Sequence, residues 1–217
     1  LLRVVRGILI FSLDPRQLPP PHGISACGYL LQQLPVLKLE KVLSSPVYTF
    51  RHDSPESVLE QLEQEIQTAR RSGKIPQVLS PVKEASLGVH RLNRWLQMKL
   101  NPQGAFLTDK FRLGDTCIVL RNAYDLPVTV LNGQTGVVIG SQEGRIVMRL
   151  SSGVEAVVPE SNLELAYCMT VHKAQGSRFP IVVFIIPEQE YASFTRDERL
   201  RYVGRTRGLD RTVCLVH

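Results

Sequence analysis

The chain has 217 residues, 43% of them hydrophobic, a formal net charge of +6 and a pI near 9.3. That length buries an ordinary core and accommodates one α/β domain plus a small second unit, so a globular chain is expected. No apolar run approaches membrane length and the opening LLRVVRGILIF lacks a small-residue cleavage site, which points to a soluble, cytoplasmic protein with no membrane partner. The basic balance suits a phosphate-rich partner, although charge alone is a weak guide.

In chain order, ILIFSL at residues 8–13 is an unbroken apolar run ending in DPRQLPPP, which reads as a buried parallel strand and a proline-stiffened loop at its carboxyl end. From Ser54 the helix signals are complete. Ser54 is the N-cap, Pro55 opens the first turn, Glu56 favours the positive end, and Val58, Leu59, Leu62, Ile66 and Ala69 share one face. Arg70, Arg71 and Gly73 end it. QVLS at residues 77–80 is a short strand, and Val89, Leu92, Leu96 and Leu100 form a second amphipathic helix stopped by Asn101 and Pro102.

After Leu113 the pattern changes. CIVLR, VTVL, GVVIG, RIVMRL and VEAVV are short runs separated by turns at Asn132-Gly133, Glu143-Gly144 and Ser152-Gly153, the spacing of a small antiparallel barrel. Beyond Asn162 the α/β alternation resumes with a loop at TVHKAQGS, a buried strand at IVVFII, a helix around DERLRYVGRTR and a last strand at TVCLV. The barrel is therefore expected as an insertion in a parallel α/β domain. Cys27, Cys117, Cys168 and Cys214 lie far apart in apolar runs, as buried free thiols do in a reducing compartment. His22, His52, His90 and His217 have no metal-ligand spacing, and no metal held by protein ligands is expected.

Five segments carry a resemblance. LDPRQLPP (13–20) resembles the GDxxQLPP motif of superfamily 1 helicases; AYCMTVHKAQGSRFPIVVF (166–184) resembles the AxxxTxHKxQGxEFxxV motif of their RecD-type branch; and LRYVGRTRG (200–208) is similar to its closing LxYTxxTRA motif. VLSPVKEASLGVHRLNRWLQMKLNP resembles the branch's VLSPxxxGxxGxxxLNxxLQxxLNP segment, and GDTCIVLRNAYDLPVTVLNGQTGVV the stretch that opens its Src-homology-3-like barrel. Singly these are weak; five in family order are specific, and they span nearly the whole chain. The resemblance implies a RecA-like parallel sheet domain of the P-loop NTPase helicase type with that barrel inserted. Residues 1–45 would be the end of a first motor domain and the crossover, 46–112 and 166–217 the second motor domain, and 113–165 the barrel.

The same resemblance implies roles. Gln17 becomes a γ-phosphate sensor, where the residues alone also allow a turn-stabilising amide; Gly176 is assigned to the nucleotide site with it. Arg207 becomes an arginine finger able to stabilise charge on the transferred phosphoryl oxygens, where sequence alone favours a surface arginine in a run with Arg199, Arg201, Arg205 and Arg211. Thr170, His172 and Lys173 are assigned to the single-strand track together with Ser80, while Arg121, Asn122 and Tyr124 suit backbone contact and base stacking or an ordinary barrel rim.

Departures from the pattern matter. No GxxxxGK[ST] loop occurs; Ser72-Gly73-Lys74 is a helix end, and without that cradle the chain by itself is expected to be inactive. Ser44 stands where the branch has an arginine, Arg178 where it has an acid, and Leu13 where it has a glycine, although a one-turn slip would let Lys41 or Arg51 supply the missing cation. The expected function is the C-terminal part of an ATP-dependent 5′-to-3′ DNA helicase that binds single-stranded DNA and shares ATP and Mg2+ with a first motor domain. Repair or recombination proteins are further expected partners. The alternative is a degenerate remnant acting as a single-strand-binding or protein-binding module without ATPase activity.

Overall fold

A computed structural model describes residues 14, 16–18, 27–34, 45–191 and 197–217. The strand expected at residues 8–13, with Leu13, and the positions of Lys41 and Ser44 lie outside the described residues. A short helix, α1 (Cys27–Gln33), precedes the parallel sheet.

The sheet's first strand, β1 (Val47–Arg51), is not among the expected strands although Val47, Tyr48, Thr49 and Phe50 are strand-forming residues; it lies at the sheet edge with all five residues exposed. It finds its place only by pairing with a distant partner. Helix α2 (Pro55–Arg71) starts as expected, with the Ser54 side chain accepting from the Ser57 N–H, and buries Val58, Leu62, Ile66 and Ala69 on one face. Strand β2 (Gln77–Ser80) and helix α3 (Val89–Leu100) follow.

An antiparallel unit then interrupts the domain: β3 (Thr116–Val119), β4 (Thr135–Gln142), β5 (Arg145–Leu150), β6 (Glu155–Val158), a 3-10 turn and β7 (Leu163–Leu165). Their order is β6-β5-β4-β3-β7. VTVL, expected as a strand, is not one; a single bridge between Ala123 and Val130 holds that loop. The β4–β5 connection works because Glu143 and Gly144 both take positive φ, 51° and 73°, the twist a two-residue hairpin requires.

The chain returns through β8 (Cys168–Thr170), a one-turn helix α4 (Val171–Ala174), β9 (Phe179–Ile186), α5 (Glu198–Arg205) and β10 (Gly208–Val216). The order β1-β10-β9-β2-β8 is parallel throughout. In β9, Val183 and Ile185 pack on the side that holds Val58, Leu62 and Leu92, while Val182, Phe184 and Ile186 pack with Val171, Leu200 and Val203. Both faces of the sheet are thus covered, which is why IVVFII reads as continuous rather than alternating. The first of these cores runs on without a break into the antiparallel unit through Cys117, Ile146, Met148 and Val158.

A buried carboxylate ties the two units together. Asp115 is fully buried and accepts from Gln97 Nε2 (2.5 Å), Asn101 Nδ2 (2.7 Å), the Arg112 N–H (2.7 Å) and the Tyr167 hydroxyl (2.8 Å). Asn93 fixes the exit: its amide donates to the carbonyls of Leu165 and Cys168 and accepts from the Cys168 N–H. Cys117, Cys168 and Cys214 are buried free thiols; burial, reinforced by Asp115, pushes Cys117 up to about 12. No helix among the described residues is long and apolar enough to cross a membrane.

Candidate nucleotide and single-strand sites

Gln17, Gly176 and Arg207, far apart in sequence, lie on segments that meet. Gln175 Nε2 donates to the Leu18 carbonyl (3.3 Å) and reaches Gln17 Oε1 (3.5 Å), and Arg207 donates through one guanidinium nitrogen to the Ser177 carbonyl (3.3 Å). Phe179 N–H in turn donates to the Arg207 carbonyl, so two bonds bracket Arg178 against Arg207. Gly176 takes φ +89°, and nothing lies within 4 Å of the space a side chain would fill. Arg207 is found one residue past the Thr206 C-cap of α5, in the turn that opens β10, rather than within the helix.

This junction sits at the amino ends of β9 and β10, where Phe179 registers with Gly208. Arg51 closes β1 at the opposite end, in register with Val216 and paired with Glu188 (3.3 Å). Eight residues of strand separate the two, about 25 Å, so Arg51 is no substitute for a cation beside Arg207.

Arg207 is 8% exposed. Its remaining nitrogens donate to the Val203 carbonyl and the Thr206 hydroxyl, and among the described residues no carboxylate pairs with it. Burial, then the like charge of Arg178, lowers its pKa from the ordinary arginine value. Tyr202 and Asp14 oppose that shift from a distance, but no carboxylate among the described residues pairs with the guanidinium directly, and an anion would supply that pairing.

Sequence reading missed two contributors here. Asp14 accepts from the Tyr202 hydroxyl (2.8 Å) and from the backbone and side chain of Arg16, whose guanidinium lies 4.2 Å from the Tyr202 ring centre. Burial raises the Asp14 pKa, but these donors outweigh it and the net shift is downward. The spacing of Asp14 and Gln17 within one motif was the available signal; nothing local to Tyr202 announced it.

The proposed strand contacts gather at the carboxyl end of β8. Thr170 caps α4, its hydroxyl accepting from the Lys173 N–H, and His172 is exposed. Lys173 is engaged: its ammonium lies 2.6 Å from Glu164 on β7, each side chain about a quarter exposed. Ser80 departs from expectation. It is fully buried, donating to the Leu87 carbonyl (3.0 Å), and so it fixes the loop before α3 instead of offering a surface.

Arg121, Asn122 and Tyr124 are exposed on the loop after β3. Asn122 donates to the Tyr124 hydroxyl and accepts from the Asn132 N–H, which orients a ring that is 70% exposed. Among the described residues no group of three or more His, Cys, Asp or Glu side chains could hold a metal ion.

Residues 165–213 match the family model of the UvrD-like helicase C-terminal domain. The chain is 32% identical over 140 residues to an ATP-dependent RecD2 DNA helicase of Deinococcus radiodurans, a match covering 62% of this chain and 19% of that protein. It is 31% identical over 125 residues to the RecBCD enzyme subunit RecD of Mycolicibacterium smegmatis, covering 57% and 22%. The chain thus spans about a fifth of the length of these curated relatives. A solved Pif1 helicase from Bacteroides, in complex with ADP-AlF3 and ssDNA, is similar over 93% of this chain and 60% of that one, at 18% identity and a TM-score of 0.48. The RecD-type resemblance carried by the motifs therefore extends over long stretches of sequence.

Proposed function

We propose that this chain, similar in sequence to RecD-type helicases, is the second motor domain of an ATP-dependent DNA helicase that moves 5′ to 3′ on single-stranded DNA. On this reading residues 1–45 close a first motor domain and cross over, 46–112 and 166–217 form a RecA-like second domain, and 113–165 form a Src-homology-3-like barrel. The observation that carries it is the junction of Gln17, Gln175 to Ser177, and Arg207 around a buried guanidinium that no described carboxylate pairs with directly.

The residues fit the phosphate end of a nucleotide. Gln17 offers an exposed amide, the Gly176 backbone leaves room for close approach, and Arg207 supplies positive charge for the transferred phosphoryl group. They do not supply a magnesium site: Asp14 is already engaged by Arg16 and Tyr202, so the metal's ligands would come from a P-loop domain. ATP with Mg2+ supplies the energy of opening and closing two such domains; this chain contributes the sensor, the finger and part of the track. The segment TVHKAQGS links Thr170 at the carboxyl end of one strand to Gly176 beside the amino end of the next. Movement at one site is thereby passed to the other.

One observation favours the remnant alternative. Arg178 brings a like charge to Arg207 where the branch has an acid, and Arg207 is turned inward onto protein atoms. The remnant reading, a single-strand-binding or protein-binding module, expects no turnover even when a P-loop domain is joined to the chain, whereas the half-site reading expects DNA-stimulated turnover there. The isolated chain should bind labelled oligo(dT) weakly, with an affinity that falls as salt rises because phosphate neutralisation releases counterions. It should release no phosphate from ATP. Salt-insensitive or absent binding, or turnover that disappears in Arg207→Ala, would overturn the half-site reading.

A further inference from the structure

Three basic side chains from two separate segments face one carboxylate at the seam between the parallel sheet and the antiparallel unit. Lys173 on α4 pairs with Glu164 Oε2 at 2.6 Å, and His90, in the first turn of α3, approaches Glu164 Oε1 at 3.8 Å. Lys83, exposed on the loop before α3, lines the same narrow cleft, with Thr170 at its floor. The other ring nitrogen of His90 meets Glu84 at 2.5 Å, so Lys83, His90, Glu164 and Lys173 are the charged groups that line the cleft, and Glu84 flanks it behind His90.

We propose that this cleft is the seat of one backbone phosphate of a single strand, held by Lys173, Lys83 and His90, and that Glu164 fills the seat when DNA is absent. The proposal rests on the single-strand reading above and adds to it two contacts, Lys83 and His90, and a competitor. A carboxylate and a phosphodiester each present anionic oxygens to an ammonium, so exchanging one for the other keeps Lys173 paired throughout. Glu164 is the anion best placed for such an exchange because it belongs to the inserted unit, beside Ile118 on β3, whereas Lys173 belongs to the parallel domain. A turn of the Glu164 side chain, about a quarter exposed, vacates the seat without moving either sheet. These basic groups already act together on Glu164: burial raises its pKa, but Lys173, then Lys83 and His90, outweigh that and hold it below the ordinary value.

The test is fluorescence anisotropy with labelled oligo(dT) at several salt concentrations, on the whole chain and its variants. Glu164→Gln should tighten binding about fivefold, the strength of one favourable ion pair released from competition. Its salt dependence should steepen by roughly 0.7 in log–log slope, as for one more phosphate contact on a single strand. The gain should vanish in the Glu164→Gln/Lys173→Ala double variant, which separates a specific competitor from general removal of negative charge. Lys83→Ala and His90→Ala, both at exposed positions, should each weaken binding, whereas Glu84→Gln should change it by less than Glu164→Gln.

Unchanged or weaker binding by Glu164→Gln, a gain that survives Lys173→Ala, or unchanged affinity in both Lys83→Ala and His90→Ala would overturn the proposal while leaving single-strand binding intact. If neither the wild-type chain nor any variant binds, the single-strand reading falls with it.

Discussion

Asp115 shows how one residue can settle the relation of two units. Its carboxylate is fully buried and takes four donors from α3, its own loop and the return segment, yet in the sequence it is one more acid in a GD pair. Removing it takes one acceptor from each of the Gln97, Asn101, Arg112 and Tyr167 donors. Although Gln97 and Asn101 keep a backbone carbonyl, a buried donor left unpaired costs about 1 to 3 kcal/mol. Asp115→Ala should therefore destabilise the chain by about 3 kcal/mol or more, read from the urea midpoint. Asp115→Asn should fall between, since it keeps the shape but turns an NH2 toward two donors. An alanine variant within 0.5 kcal/mol of wild type would show that the hub is dispensable. Lys173 teaches a different lesson: the motif that contains it was legible, but its ion pair with Glu164 was not, because the partner comes from another unit.

At the scale of elements, α2, β2 and α3 formed where capping, periodicity and stop signals said they should, because those signals are local. The segment VTVL failed as a strand because it finds one bridge and no continuous neighbour. Helix α5 matters most for the proposed nucleotide cluster, since Arg207 follows it directly. Its Gly204 rests on the ring of Phe184, fully buried in β9, so closely that an added methyl would overlap ring carbons. Gly204→Ala should therefore cost about 1 to 3 kcal/mol by overpacking. It should also displace the turn that holds Arg207. Thermal denaturation checks the first effect, and a melting temperature equal to wild type would mean that the ring relocates freely.

Over the whole molecule, the core beneath α2 and α3 continues into the antiparallel unit, and Asp115 and Asn93 clamp both connections between them. An insertion attached in this way has little reason to melt alone. The chain should unfold in a single transition, with Trp95 fluorescence, which reports on α3, and far-UV circular dichroism, which reports on both sheets, giving coincident midpoints. Two separated transitions would show that the seam is weak. That seam is also where Lys83, His90, Lys173 and Glu164 meet, so its rigidity bears directly on how a strand would be gripped.

Sequence alone determined what depends on neighbours along the chain: the α/β alternation, the change to short antiparallel runs after Leu113, the Glu143-Gly144 hairpin, and the motifs that place Gln17, Gly176 and Arg207 in one family pattern. Tertiary structure alone decided which of those groups are free to act. It buried Ser80, paired Lys173 with Glu164, carried Arg51 to the far end of the sheet, and set Arg207 in a buried turn without a described carboxylate. The physical reason is that propensity and periodicity act over a few residues. Burial and charge pairing depend on what the fold brings alongside, and here the decisive partners of Lys173, Arg207 and Asp115 lie 9, 30 and 52 residues away.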